Sequence, residues 1–248
     1  MTEWFENEKF WEDTYETIFP EKKFEEADDE IDKVLKLTNH QGGPVLDLCC
    51  GPGRHVVALA KRNIRTTGVD RTRFLLNKAR ERANQASVNV EFAQSDMRDF
   101  LRESSFELIL SMFSSFGYFE NKDDDFRVLQ NIRRSLLPGG KCVIDVASKE
   151  VLARIFKEVI HAELANGSQM FETHEIFDDW TRIKNRRTLV EKSGRAQTYE
   201  FCLTVYSAFE LKELMLRAGF QSVKAYGSFD ATPYDNKALR LVVVGVGK

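Results

Sequence analysis

A short apolar segment followed by two glycines constrains the fold of this chain more than any other feature. Val45–Gly53 reads Val-Leu-Asp-Leu-Cys-Cys-Gly-Pro-Gly, and a helical apolar pattern with Val56 and Leu59 follows it. Glycine is needed where a turn closes on a ligand, because a side chain would hinder positive φ and close backbone approach. Amides at the helix N-terminus would face the same crevice. The segment therefore predicts a strand, a tight turn at Gly51 and Gly53, and a helix.

Two residues around the glycines indicate the kind of ligand. The dinucleotide fingerprint Gly-x-Gly-x-x-Gly/Ala ends in a small residue, whereas this chain has Val56 there. Asp47 would repel a pyrophosphate but could orient a ligand that bears an ammonium group. Both features disfavour a nicotinamide-dependent oxidoreductase and favour a cationic nucleoside without phosphate.

The pattern hydrophobic-hydrophobic-Asp-x-x-x-Gly-x-Gly resembles the first motif of the class I S-adenosylmethionine-dependent methyltransferases. Three further matches follow in order: a strand that ends at Asp70, the residues Gln-Ser-Asp-Met after an alternating segment, and Leu-Leu-Pro-Gly-Gly before another strand. Together the four matches span Val45–Val146. Within that family the chain resembles the bacterial small-molecule branch, which includes amino-sugar N-methyltransferases.

The order of segments, together with this resemblance, implies an α/β fold. We expect a doubly wound, mostly parallel seven-stranded sheet of the Rossmann-like methyltransferase type, whose final strand in Leu239–Val246 is antiparallel. After a predicted helix at Val151–Ile160, segments with β character predict an antiparallel insertion. The expected parts are an N-terminal helical lid at 1–38, a cofactor-binding core at 39–147 and 207–248, and an α+β insertion at 148–206. The insertion is expected to roof the acceptor site or to form a dimer contact.

The resemblance implies roles in binding S-adenosylmethionine and the product S-adenosylhomocysteine. A carboxylate about 20 residues beyond the first strand accepts ribose hydroxyls in nucleoside-binding folds, which assigns the ribose to Asp70. Asp96 and the Met97 backbone would meet the adenine, Arg71 would pack on it, and the Phe113 backbone would face the methionine portion. The complete predicted set is Tyr15, Asp47, Gly51, Gly53, Asp70, Arg71, Asp96, Met97 and Phe113, with Tyr15 reaching the cofactor from the lid.

The acceptor is expected to be a small molecule, with transfer to nitrogen slightly favoured over oxygen or carbon. Residues 114–119 offer hydroxyls and aromatic rings instead of the Asn/Asp-Pro-Pro-Tyr/Phe turn of methyltransferases that act on DNA bases. A hydroxyl or ammonium acceptor would have to lose a proton. Tyr118, His174 and Asp230 are the candidate catalytic groups, with His55 as a further one to test, and no base is assigned.

Composition narrows the possible partners. With 248 residues, 42% of them hydrophobic, the chain suffices for one domain with an insertion. A net charge of -3 and the lack of a basic module disfavour nucleic acid, and no apolar run is long enough to predict a membrane span. Four cysteines without metal-ligand spacing predict reduced thiols, no metal site and a cytoplasmic location.

Several alternatives stay open at this point. Both a monomer and a homodimer are compatible with the sequence. The chain could also be an RNA or protein methyltransferase, or a regulatory protein that binds S-adenosylmethionine without turnover. A basic cluster in the insertion, formed by Arg182, Lys184, Arg186 and Arg187, favours a solvated strand face over a site for an anionic substrate.

Overall fold

The computed structural model describes residues 3–164 and 166–247, which form two β-sheets and the helices around them. The strands are β1 (Val45–Leu48), β2 (Thr66–Asp70), β3 (Glu91–Gln94), β4 (Phe106–Ser111), β5 (Leu136–Val146), β6 (Val159–Glu163), β7 (Gln169–Phe177), β8 (Arg182–Val190), β9 (Ala196–Thr204), β10 (Ser222–Tyr226) and β11 (Leu241–Val246). The helices are α1 (Glu8–Ile18), α2 (Glu21–Glu25), α3 (Ala27–Thr38), α4 (Arg54–Lys61), α5 (Arg73–Gln85), α6 (Lys122–Ser135), α7 (Lys149–Ile155) and α8 (Ala208–Arg217), preceded by a 3-10 turn at Trp4–Glu6. Within these residues no helix is long and apolar enough to cross a membrane.

The larger sheet confirms the predicted doubly wound topology. Its seven strands lie in the order β10-β11-β5-β4-β1-β2-β3. Strands β1 to β5 are parallel, whereas β11 pairs antiparallel with both β5 and β10, as predicted for the last strand. The strand order reverses between β1 and β4, and ligands of such folds bind outside the carboxyl ends of the strands at that point.

Helices on both faces bury the central strands. All residues of β1 and β2 are buried, and so are most residues of β4 and β11. On one face, Phe106, Leu129 and Met215 belong to a hydrophobic cluster that joins the sheet to α6 and α8. On the other face, Ile31 of α3 and Leu59 of α4 belong to a second cluster. Removal of this apolar surface from water is the main contribution to stability in such a layered fold.

The insertion forms a separate four-stranded antiparallel sheet in the order β6-β7-β8-β9. This confirms the predicted antiparallel insertion, but the helix predicted at Val151–Ile160 is wrong in its second half. Helix α7 ends at Ile155, and β6 begins at Val159 and pairs with β7. The branched side chains of Val159 and Ile160 favour an extended backbone, and pairing with β7 fixes it.

The N-terminal segment joins the core to the insertion. Pro20 separates α1 from α2. The Trp4 indole donates a hydrogen bond to the Cys202 carbonyl oxygen at 3.2 Å, and the ring centroids of Trp4 and Phe10 lie 5.2 and 5.5 Å from that of Phe201. The described part of this segment thus packs on β9, while the function of 1–38 as a lid stays a prediction.

Close packing at Gly53 gives a test of the fold. Gly53 has a φ of +85°, and a β-carbon there would lie 2.8 Å from the Ala79 β-carbon and 3.0 Å from its α-carbon. We expect Gly53→Ala to lower the free energy of unfolding by about 2 to 5 kcal/mol, the combined effect of left-handed strain and overpacking. Urea denaturation followed by circular dichroism measures this loss.

Gly139→Ala is the matched control for the backbone contribution. Gly139 has a φ of +72°, and a β-carbon there would meet nothing within 4 Å. This variant should lose only the strain contribution of about 1 to 2 kcal/mol. Equal losses in the two variants would show that α4 and α5 do not pack as closely as the structure indicates.

Candidate functional site

Two adjoining cavities lie at the carboxyl ends of the parallel strands. The large cavity, of about 410 Å³, is bordered by the glycine turn, the residues after β4, the N-terminal helices and the insertion. The small cavity, of about 40 Å³, lies against the residues that follow β2 and β3. Trp11, Cys49 and Tyr118 line both cavities, so the two volumes are neighbouring parts of one site.

Asp70 holds the glycine turn against the end of β2. Its Oδ2 accepts a hydrogen bond from the Gly51 amide at 2.9 Å, and its Oδ1 accepts one from the Thr72 amide at 2.8 Å. Gly51 and Gly53 adopt positive φ values of +53° and +85°, in the turn expected for them. Burial raises the pKa of Asp70, and the two amides oppose this shift. Because each carboxylate oxygen has a second lone pair, Asp70 can still accept hydroxyl groups from a ligand in the small cavity.

Asp47 is a buried carboxylate with an unpaired oxygen. It is 2% exposed, and within the described residues its Oδ2 has no hydrogen-bond partner. Burial raises the pKa of Asp47 to about 7, although the nearby Arg54 charge acts in the opposite direction. An unpaired buried acceptor costs stability, so a ligand with a positively charged donor would relieve an existing penalty. This oxygen fits the ammonium group of a methionine moiety.

Arg54 presents a buried cation to the large cavity. It lies directly after Gly53, donates to the Lys23 carbonyl oxygen at 3.1 Å and forms an ion pair with Glu30 at 3.0 Å. Its guanidinium carbon lies 4.7 Å from the centroid of the Phe113 ring. Together with the amides of the glycine turn, this cation could hold a ligand carboxylate.

His55 is fixed by the same glutamate and remains neutral at neutral pH. Its Nε2 lies 3.0 Å from Glu30 Oε2. Burial lowers the pKa of His55 to about 4, and the neighbouring Arg54 charge adds to the shift. The pKa of Glu30 is lowered to about 2, because the contacts with His55 and Arg54 outweigh the opposing effect of burial. His55 therefore supports the wall of the large cavity and is a weak proton acceptor.

The structure brings Asp70, Arg71, Asp96 and Met97 together around the small cavity. Asp96 forms ion pairs with Arg71 and Arg98, each at 2.8 Å. Burial tends to raise the pKa of Asp96, but hydrogen bonds from Arg98 outweigh it and the pKa is lowered. Asp96 is thus fixed and ionised at the position predicted to face an adenine, but each of its oxygens already accepts two hydrogen bonds, so an adenine amine would have to replace one of them.

The residues at the end of β4 form the wall between the glycine turn and the insertion. The Phe113 amide donates to Asp145 Oδ2 at 3.0 Å, in a backbone with φ of +62°, and Phe113 lines the large cavity. The Tyr118 ring centroid lies 4.7 Å from that of Trp4. Burial raises the pKa of Tyr118, so its hydroxyl stays protonated and is suited to donate a hydrogen bond.

Five predicted site residues line neither of these cavities, namely Tyr15, Asp47, Gly53, His174 and Asp230. Tyr15 packs edge to face on Phe74 of α5, with centroids 5.6 Å apart, and it lines neither cavity. Trp11, one helical turn earlier, lines both. Asp230 is exposed and forms an ion pair with Lys33 at 3.3 Å, away from both cavities. The contacts that α1 and the β10–β11 loop make elsewhere explain the positions of Tyr15 and Asp230.

His174 lies on a third volume, which we call the insertion cavity. This cavity, of about 450 Å³, lies between α7, the insertion sheet and the end of β5. His174 Nδ1 is 2.7 Å from Asn185 Oδ1. Ser114 and Leu203 line both the insertion cavity and the large cavity, so His174 is near the site but not in its main volume.

The sequence predictions missed several residues that line the large cavity: Trp4, Phe10, Trp11, Lys23, Arg54, Arg187 and Phe201. For Arg187 a signal was present, because alternation along β8 places it on the same side as the buried Ile183 and Asn185. Its guanidinium pairs with Glu172 at 2.7 Å, and within the described residues its buried Nη1 has no partner. It therefore differs from the solvated face expected for the basic cluster.

Two cysteines of the glycine turn border the same volumes. Cys49 lines both cavities, and Cys50 lines the large one. Burial raises the pKa of both thiols, and the carboxylates of Asp70 and Asp47 add to the shift. Among residues 3–164 and 166–247, no group of three or more His, Cys, Asp or Glu side chains is placed to hold a metal ion.

Comparison with known proteins identifies a methyltransferase domain in this chain. Residues 45–140 match the family model described as a methyltransferase domain. YqeM of Bacillus subtilis (strain 168), which is named as a methyltransferase, is 24% identical over 220 residues, covering 86% of this chain and 87% of that protein. A Streptomyces venezuelae enzyme, dTDP-3-amino-3,4,6-trideoxy-alpha-D-glucopyranose N,N-dimethyltransferase, is 32% identical over 120 residues, or 48% of each protein.

A solved structure shows the same fold. The crystal structure of an S-adenosylmethionine-dependent methyltransferase from Clostridium acetobutylicum ATCC 824 superposes with a TM-score of 0.77 at 16% identity, covering 91% of this chain and 92% of that one. The matched domain contains the glycine turn, Asp70 and Asp96. The buried, unpaired Oδ2 of Asp47 fits the cationic ligand that such methyltransferases use. Residues 45–140 are therefore a methyltransferase domain, the chain has the fold of the S-adenosylmethionine-dependent methyltransferases, and S-adenosylmethionine is its cofactor.

Proposed function

We propose that this methyltransferase acts on a nitrogen atom of a small-molecule acceptor bound in the large cavity. The observation that carries this proposal is that the glycine turn, the N-terminal segment and the insertion all border one cavity. Trp4 and Phe10 of the N-terminal segment pack on Phe201 of the insertion, so the volume of about 410 Å³ is bordered on several sides. A volume of this size suits a small molecule, whereas a folded protein or an RNA helix needs an open surface.

The cofactor contacts that we propose follow from the groups that border the two cavities and from Asp47 of β1, which lines neither cavity but directly precedes the glycine turn. Asp70 accepts the ribose hydroxyls, Asp96 and Met97 hold the adenine, and Asp47 and Arg54 hold the ammonium and carboxylate of the methionine portion. When bound, S-adenosylmethionine supplies an electrophilic methyl group: the acceptor nitrogen forms the new bond to carbon, the S–C bond breaks, and its electron pair stays on sulfur. The chain contributes by positioning the groups, since alignment alone lowers such a barrier by several kcal/mol.

The electrostatics of the large cavity favour nitrogen as the methylated atom. Among the described lining residues, His55 is a neutral imidazole with a pKa near 4, and Tyr118 stays protonated because burial raises its pKa. The other titratable lining groups are the cations Lys23, Arg54 and Arg187, the half-buried thiol of Cys49 and the buried thiol of Cys50. A neutral amine can be methylated without a base, whereas a hydroxyl group cannot. The Streptomyces venezuelae relative, an N,N-dimethyltransferase by name, supports the same choice over about half of the chain.

Label transfer distinguishes this function from its alternatives. The purified protein is incubated with S-adenosylmethionine labelled in the methyl group and a bacterial cell extract, which is then fractionated by size. Label in the low-molecular-weight fraction supports the proposal. Label in RNA or protein would support a macromolecular substrate, and cofactor binding without label transfer would indicate a regulatory protein. Either of these results would overturn the proposed function.

Replacement of Asp47 by asparagine should have opposite effects on stability and on cofactor binding. Because burial raises the pKa of Asp47 to about 7, ionisation destabilises the folded protein increasingly as pH rises from about 4 to 7. Without ligand, Asp47→Asn should therefore be more stable than the wild type at pH 8, and the difference should vanish near pH 4. Its affinity for S-adenosylhomocysteine at pH 8 should be weaker by about 10- to 150-fold, the scale of a hydrogen bond to a charged group.

Asp125→Asn is the matched control. Asp125 is also buried with a pKa raised to about 7, but it lies in α6, away from the glycine turn, and accepts a hydrogen bond from the Tyr206 hydroxyl at 2.6 Å. Urea titrations at pH 4 to 8 and calorimetric titration with S-adenosylhomocysteine measure both quantities. An Asp47→Asn protein that binds as tightly as the wild type at pH 8 would contradict the ammonium assignment.

Replacement of Tyr118 by phenylalanine tests the acceptor side of the site. The hydroxyl is protonated and unengaged in the described hydrogen-bond network, so its removal should lower the rate of label transfer about tenfold, the effect of one hydrogen bond. The affinity for S-adenosylhomocysteine should stay within about twofold. Tyr226→Phe, in β10 and outside the three cavities, is the control. A parallel loss of cofactor affinity in Tyr118→Phe would place the hydroxyl on the cofactor instead.

A further inference from the structure

The insertion cavity is apolar and is not used by the contacts described above. Leu152 and Ile155 of α7, Ile160 of β6, Ile183 of β8 and Leu203 of β9 contribute to its walls. Its volume of about 450 Å³ lies in the range of pockets that bind small molecules. Ile155 and Ile160 remain 55% and 37% exposed at its mouth. The surface is therefore both apolar and open to a ligand from solvent.

The charges around this cavity disfavour a pyrophosphate inside it. Among the described residues that line it, Lys157 is the one lysine or arginine, and no carboxylate is present. A nucleotide-linked sugar carries a pyrophosphate, which proteins bind with several cationic or backbone donors. The lining instead suits an uncharged hydrocarbon or aromatic group, whose burial is favourable without paired charges.

The insertion cavity adjoins the large cavity at two residues. Ser114 follows Phe113 at the end of β4, and its hydroxyl accepts a hydrogen bond from the Ala147 amide at 3.1 Å. Ser114 and Leu203 line both volumes. A ligand that fills the insertion cavity would thus extend past Ser114 into the large cavity, where the reacting groups are proposed to meet.

One polar pair interrupts the apolar walls. Asn185 Nδ2 donates to the Phe201 carbonyl oxygen at 3.4 Å, which directs its Oδ1 towards His174 Nδ1 at 2.7 Å. Because this oxygen only accepts, Nδ1 carries the proton and Nε2 of His174 is left as an acceptor. His174 can therefore accept one hydrogen bond from a hydroxyl or amine group of a ligand that is otherwise apolar.

We propose that the insertion cavity binds the apolar part of the acceptor, so that the substrate is an amphipathic amine and not a nucleotide-linked sugar. This inference rests on the proposed function, because it assumes that a small-molecule amine receives the methyl group. The apolar part packs between α7 and the insertion sheet, and the amine lies beyond Ser114 in the large cavity. His174 orients the molecule and does not take part in the transfer.

A neutral fluorescent probe, N-phenyl-1-naphthylamine, tests the cavity directly in the presence of saturating S-adenosylhomocysteine. We expect saturable binding, weakened about tenfold or more in Leu152→Glu, because a carboxylate would be buried against the apolar ligand. Leu216→Glu introduces the same change on α8, outside the cavity, and should bind the probe like the wild type. Ala147→Trp, which fills the cavity from an exposed position, should also weaken probe binding.

Affinity for S-adenosylhomocysteine reports on folding and should stay within about twofold in all three variants, since none of the three substituted residues lines the large or the small cavity. If Leu152→Glu and Ala147→Trp bind the probe as tightly as Leu216→Glu, the proposed binding site is wrong. This result would leave the proposed function intact.

Solvent partition of the labelled product separates the two proposals. After label transfer into a cell extract, extraction at alkaline pH should move the labelled amine into the organic phase, and Leu152→Glu should reduce this product more than Leu216→Glu does. Label confined to water-soluble small molecules would overturn the apolar-acceptor inference but support the proposed function. If no small molecule is labelled, the proposed function fails, and the acceptor role of the insertion cavity fails with it.

Discussion

The two hydrogen bonds accepted by Asp70 are the constraint on which the site depends. One holds the Gly51 amide and the other the Thr72 amide, so a single carboxylate connects the turn after β1 to the residues after β2. Burial of that carboxylate is unfavourable, and the two amides offset the cost. The positive φ of the turn and the close contact of Gly53 with Ala79 then fix where α4 begins.

A second set of contacts connects the N-terminal segment to the insertion and to the glycine turn. Aromatic residues of the N-terminal segment pack on the insertion, while Arg54 links that segment to the glycine turn through Glu30 and the Lys23 carbonyl oxygen. The core, the N-terminal segment and the insertion therefore all border one cavity. Under the proposed function, variation in the insertion would change the acceptor without altering the proposed cofactor contacts, which come from the core.

Much of the fold could be predicted from local sequence, because the glycine turn, the strand-end carboxylates and the Leu-Leu-Pro-Gly-Gly segment are contiguous signals. Residues whose position depends on packing could not be predicted in the same way. The choice between Tyr15 and Trp11 depends on how α1 lies against α5, and the partner of Asp230 depends on where a loop meets α3. The cytoplasmic location, the oligomeric state and the limits of the lid remain predictions from the sequence.

The same reasoning explains the error at α7. In a short apolar segment, a helical pattern and a strand pattern cannot be distinguished from the sequence alone. Here the pairing of β6 with β7 decides in favour of the strand. The residues that line the insertion cavity could likewise not be predicted from the sequence, since they depend on how α7 is placed relative to a separate sheet. What alternation along β8 does reveal is which side of that sheet faces the core.

The environment of Cys49 affects whether its thiol can react with the methyl group of the cofactor. A thiolate is a strong nucleophile, and Cys49 borders both volumes in which we propose that the electrophilic methyl donor binds. Burial and the surrounding carboxylates keep this sulfur protonated, so its reactivity is suppressed where an alkylating agent is most concentrated. The low dielectric and negative charge that prepare the site for a sulfonium ion thereby also protect the protein from methylating itself.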